Sequence, residues 1–135
     1  MTYPISNIEG LTAFAASKLK SVGIRTMESL LEAARTAKGR KELSAKTGFD
    51  EQQLLQWANL ADCMRIPGMG KAKAELLRAS GVSTVRELTH RNPARLAQAM
   101  KQANGQRKLV QVLPSEKSVE QLIEKARMLP LKISY

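Results

Sequence analysis

An internal repeat constrains this chain more than any other feature. Ile8-Glu9-Gly10-Leu11-Thr12-Ala13-Phe14-Ala15-Ala16-Ser17-Lys18-Leu19 aligns without gaps on Ile66-Pro67-Gly68-Met69-Gly70-Lys71-Ala72-Lys73-Ala74-Glu75-Leu76-Leu77, at an offset of 58. The offset persists through Gly23/Gly81, Thr26/Thr84 and Leu30/Leu88. Glycines, cap residues and apolar positions recur together, which points to duplication. A weaker echo at an offset of 65 sets Leu54, Trp57, Ala61 and Met64 against Val119, Leu122, Ala126 and Leu129, both sets at helical spacing. The second copy therefore carries about seven extra residues, placed within 104–114. The repeats divide the chain into 1–64 and 65–135. No Gly/Ser-rich linker separates them, so they are expected to pack as one compact helical domain.

The expected fold class is all-α. Thr12 or Ala13 opens a helix that stops before Gly23, a glycine suited to the left-handed position after a helix. Thr26 caps a helix reaching about Thr36, and Gly39 to Thr47 fits a short helix closed by Gly48. Asp50 with Gln53 reads as an N-cap pair opening the helix of Trp57. In the second copy, a helix after Gly70 stops at Gly81, and Thr84 with Glu87 forms a capping box. Asn92-Pro93 supplies a cap and then proline at the first helical position, where its missing N–H costs nothing. Ser115 starts the last helix, which ends before Pro130. Residues 108–113 read as a loop.

Several function classes drop out on composition. Cys63 is the only cysteine and His90 the only histidine, which excludes an intrachain disulfide and most zinc sites. Asp50 and Asp62 are the only aspartates, too few for a metal-dependent nuclease cluster of the usual kind. No metal or cofactor is expected. No apolar run approaches the ~20 residues that cross a bilayer. The first residues lack the basic and apolar regions of a signal peptide, so a cytoplasmic, bacterial-type setting is expected. Aromatic residues make up only 4%, so Leu, Ala, Val, Ile and Met must build the core, Trp57 and Cys63 included.

The segment Ile66-x-Gly68-Met69-Gly70-x-x-x-Ala74-x-x-Leu77 fits the helix-hairpin-helix signature at every marked position. Glycine serves where the backbone turns tightly, Met69 plugs between helices, and Ala74 is small where helices cross. The turn leaves amides at Gly68, Gly70 and Lys71 facing outward at a helix N-terminus, which favours a phosphate. Lys71 and Lys73 add charge at the same spot. The first copy departs from this pattern. Thr12 replaces the second glycine, Ala13 and Ala15 replace the lysines, and Glu9 opposes an incoming phosphate. Hairpin 1 is therefore expected to be structural.

Charge follows the same division. The formal net charge is +10, of which residues 1–67 hold +2 and residues 68–135 hold +8. Such an excess points to a polyanionic partner, and nucleic acid is the expected one. The expected function is non-enzymatic, sequence-nonspecific DNA binding through backbone phosphates. The site residues are Gly68, Met69, Gly70, Lys71, Lys73 and Arg78, with Arg91 and Arg95 behind them. Two alternatives stand beside it: protein docking through an apolar surface involving Met64, Met69 or Met128, and binding of structured RNA.

With these residues in view, the chain resembles a bacterial family catalogued as a domain of unknown function and built from tandem helix-hairpin-helix units. The carrying segments are Ile8-Glu9-Gly10-Leu11, Leu54 to Asp62, Arg65 to Gly70, Gly81 to Leu88 and Arg91-Asn92-Pro93. The resemblance implies an all-α fold and, through the wider helix-hairpin-helix class, a nucleic-acid role. Glycosylases of that class place a catalytic Lys two residues after the second glycine, or an Asp further along. Here Ala72 holds the Lys position and no Asp follows Asp62, so the resemblance implies no such activity.

Overall fold

Side-chain oxygens decide where the helices begin. In the computed structural model, which describes residues 3–8 and 10–135, eight α-helices follow a short 3-10 turn at Ile5–Asn7. They are α1 (Ala13–Ser21), α2 (Met27–Ala34), α3 (Ala37–Thr47), α4 (Glu51–Cys63), α5 (Lys71–Ala79), α6 (Val85–Thr89), α7 (Pro93–Gln106) and α8 (Glu116–Met128). Among the described residues no strand forms, and a single isolated bridge pairs Pro4 with Thr26. The all-α expectation holds. Hydroxyls of Thr12, Thr26, Thr36, Thr84 and Ser115, and the carboxamide of Asn92, each accept an amide of the first turn that has no intrahelical partner.

Several boundaries differ from the sequence reading. Thr36 does not end α2: it caps α3, accepting from the Gly39 amide at 3.0 Å. Gly39 is therefore inside a helix, and it is glycine for steric reasons, since a Cβ there would run into the Ala33 carbonyl oxygen. The expected box of Thr84 and Glu87 is half formed: Thr84 accepts the Glu87 amide at 3.0 Å, while the Glu87 carboxylate takes the Thr84 hydroxyl at 3.3 Å. The full reciprocal box stands at Thr26 and Ser29. Asp50 caps α4 through the Gln52 amide at 2.8 Å. The seven extra residues are a net figure. Caps Thr36 and Asn92 stand 56 apart, because α6 is shorter than α2, and helix starts Glu51 and Glu116 stand 65 apart. The gain lies at the end of α7 and in the loop after it.

The chain divides into two compact units. One comprises Met1–Asp62 with Lys132–Tyr135, the other Cys63–Leu131. In the first, α2 packs on α3, and Leu19, Leu30, Ala34 and Leu54 are fully buried. Trp57 is buried as expected, with the Phe49 ring edge-on at 5.2 Å. Residues 132–135 lie against this unit. The Ser134 amide donates to the Arg35 carbonyl at 2.7 Å, and the Tyr135 hydroxyl to Asn59 Oδ1 at 2.8 Å. The buried Arg40 guanidinium donates to the carbonyls of Ala34 at 2.9 Å and Ser134 at 2.8 Å. Ala34 closes α2, so the cation lies at the negative end of that helix dipole.

In the second unit, α7 packs on α8 and α5, and α6 packs on α8. Its core holds Ile66, Met69, Leu76, Leu77, Leu88, Met100 and Ile123, with Cys63 also buried. Asn104 organises the loop after α7. Its Oδ1 accepts the amides of Leu109 at 2.8 Å and Val110 at 3.0 Å, and its Nδ2 donates to the Val110 carbonyl at 3.1 Å.

Candidate functional site

The turn from Ile66 to Gly70 presents an exposed corner at the start of α5. Gly68 sits at φ +84°, a left-handed position that costs an L-residue with a Cβ about 1–2 kcal/mol. The Met69 amide closes the turn onto the Ile66 carbonyl at 3.0 Å, and its side chain is buried. Met69 thus offers neither an outward amide nor an apolar docking surface. Met64 is half-buried against the same core. Of the three methionines expected for docking, only Met128 is fully exposed, at 85%.

Gly70 is the N-cap of α5 and has no side chain with which to close it. Its backbone is extended, at φ −103° and ψ 170°, like the other caps. The remaining α-helices all have a capping side chain, so the first-turn amides of α5 are distinctive in lacking one. Lys71 is exposed and Lys73 is half-buried, and no acidic residue lies in that first turn. The helix dipole is positive there, so both lysines are placed where it disfavours them.

A third lysine arrives from a distant element. Lys125, on α8, directs its Nζ to the Pro67 carbonyl at 3.5 Å, and Lys73 directs its own to the Gly68 carbonyl at 3.5 Å. A Cβ on Gly68 would stand 3.7 Å from Lys125 Nζ. None of the three lysines forms an ion pair among the described residues. Sequence spacing carries no signal for Lys125, because its approach depends on how α8 packs. Two ammonium groups loosely held by carbonyls of the turn, an exposed lysine at the first helical position and a run of uncapped amides form a corner that an oxyanion would relieve of like-charge repulsion.

The other expected residues lie elsewhere. Arg78 is exposed in the last turn of α5, about 10 Å along the helix from Lys71. Arg91 is engaged structurally: it donates to the Gly81 carbonyl at 3.0 Å and lies 4.0 Å from the Glu87 carboxylate. Arg95 is exposed in the first turn of α7, its amide held by Asn92 Oδ1 at 3.1 Å. The structure therefore gathers Gly68, Gly70, Lys71 and Lys73 at one corner and sets Arg78 and Arg91 at the far end of α5.

The first copy makes the same turn with different chemistry. Gly10 sits at φ +83° and the Leu11 amide closes onto the Ile8 carbonyl at 3.2 Å. There, however, the Thr12 hydroxyl takes the Ala15 amide at 3.1 Å, and α1 opens on Ala13, Phe14 and Ala15 without charge. Glu9, expected to oppose a phosphate, lies outside the described residues. The equivalents Gly23 and Gly81 match closely, with φ of 89° and 92°.

Among the described residues no group of three His, Cys, Asp or Glu side chains is placed to hold a metal, and no helix is long and apolar enough to cross a membrane. No curated protein and no solved structure matches the chain. One family does match, over residues 9–129. The chain thus belongs to DUF4332, a family described as a domain of unknown function.

Proposed function

We propose that this chain is a non-enzymatic module of tandem helix-hairpin-helix units that binds duplex DNA through backbone phosphates, without sequence preference. The second hairpin makes the contact and the first is a scaffold. The observation that carries this reading is the open start of α5. Its amides meet no capping side chain, the Lys73 and Lys125 ammonium groups lie at the Gly68 and Pro67 carbonyls just before them, and Lys71 is exposed at the first helical position. A phosphate oxygen accepts from such amides and offsets the dipole and the clustered charge together. Contacts of this kind position a protein on the duplex and read no base edges. No cofactor takes part, and a cytoplasmic setting in a bacterium suits the role.

The test is a salt titration of binding to a fluorescent duplex. Charge reversal of Lys71 and Lys73 weakens binding and makes the slope of log K against log salt shallower by about 0.9 for each phosphate no longer neutralised. Lys125→Glu does the same to a smaller degree. A double variant with parental affinity and slope overturns the proposal. A duplex RNA of equal length in the same titration separates the two polymers, because phosphate recognition alone does not. Protein docking is the second reading. It is favoured by Met128 and Leu131, exposed at 85% and 69% in the same unit.

A further inference from the structure

The loop after α7 combines three features that the hairpin does not explain. Its root is fixed, because the Asn104 side chain holds the Leu109 amide and both backbone polar groups of Val110. Leu109 and Val110 pack on the core of the second unit, and Ser115 caps α8 at the far end. Its apex is apolar and bare: Val112 is 85% exposed and Leu113 is 37% exposed. Its flanks are cationic on balance, with Lys101, Arg107, Lys108 and Lys117 all exposed against Glu116 and Glu120. None of these cations forms an ion pair among the described residues.

We infer that residues 107–113 are a second contact arm, in which Arg107 and Lys108 take phosphates and Val112 enters between stacked base pairs of duplex DNA. The inference rests on the proposed duplex binding and adds a deformation of the duplex to it. Single exposed aliphatic residues are ordinary on protein surfaces. Here the apex is presented by a hydrogen-bonded root and flanked by an excess of positive charge, which is complementary to a polyanion. Aliphatic wedges that unstack a base step work with a single side chain. A bilayer needs far more apolar surface. A whole myristoyl chain binds only marginally, and two aliphatic side chains carry a fraction of its methylenes. The charge and the size of the apex therefore favour a duplex over a lipid surface.

The experiment uses the full chain and a duplex carrying 2-aminopurine, whose fluorescence rises on unstacking, with affinity measured in parallel by polarisation. The parent binds and raises the fluorescence. Val112→Ala abolishes the rise and weakens binding about tenfold, the worth of the two carbons removed. Val112→Lys also abolishes the rise although it adds charge, and Asn104→Ala loses it with every cation in place. Val112 is exposed, so its variants keep the fold. Binding by the parent without a fluorescence change, or variants that keep the rise, overturns the wedge and leaves duplex binding standing. A parent that fails to bind the duplex at low salt overturns both. Sedimentation with anionic phosphatidylglycerol vesicles that depends on Val112, without unstacking of the duplex, overturns the wedge in favour of lipid.

Discussion

Gly70→Ser separates stability from binding. At this position the backbone is extended, and a Cβ would meet nothing within 4 Å. A serine hydroxyl is therefore free to do what Thr12 does in the first copy, where the amide three residues on is accepted at 3.1 Å. Serine exceeds glycine at an N-cap by a few tenths of a kcal/mol. Removing glycine's freedom in the unfolded chain adds about 0.4–1 kcal/mol. The sum is about 0.6–1.5 kcal/mol of stabilisation, or roughly 2–6 °C in Tm. The same hydroxyl occupies the Lys73 amide and so competes with a phosphate. Losing one charge-assisted hydrogen bond, about 1.5 kcal/mol, weakens duplex binding about tenfold. No cation is removed, so the salt slope is unchanged. Thermal denaturation and polarisation on one preparation give both readouts. A variant that is stabilised and binds like the parent refutes the role assigned to the uncapped amides. One that is destabilised refutes the steric argument.

Further outcomes follow from burial and backbone geometry. Gly39→Ala destabilises by about 1–3 kcal/mol in urea denaturation, although alanine is the better helix former, because its Cβ meets the Ala33 carbonyl. Gly105→Ala, late in α7 with nothing within 4 Å of a Cβ, stabilises by about 0.5–1 kcal/mol in the same assay. Arg40→Met removes the donor from two carbonyls and costs about 2–4 kcal/mol, with faster hydrogen exchange at the Ser134 amide. Gly68→Ala costs about 1–2 kcal/mol because its φ is +84°.

What the sequence makes legible is local chemistry. Thr12, Thr26, Asn92-Pro93 and Ser115 announce helix starts because a cap acts on an amide within three residues. Gly23, Gly48 and Gly81 announce stops because positive φ is a single-residue property. The corner at Gly68 and Gly70 is legible for the same reason. Thr36 does not announce itself as a cap because Gly39, three residues on, reads as a helix breaker, and only the nearness of Ala33 explains why glycine is there. Lys125, Asn104 and Arg40 carry no spacing signal. Lys125 meets Pro67 across 58 positions and Arg40 meets Ser134 across 94, so packing alone brings them together. Arg91 reads as a candidate for phosphate; that its Nη2 also donates to the Gly81 carbonyl depends on the bend between α5 and α7, which spacing does not signal.

The placement of residues 132–135 has a consequence for how the polypeptide matures. The segment completing the first unit is encoded after the whole of the second. While a ribosome is still making α8, the Arg40 guanidinium lacks its Ser134 acceptor and Asn59 lacks the Tyr135 hydroxyl. The earlier half therefore reaches its final stability after the later half has been translated. A single cut between Asp62 and Cys63 yields two fragments, one of which carries away a piece belonging to the other. Fragment studies of the first unit thus need those four residues restored, as a peptide in trans or through a circularly rearranged gene.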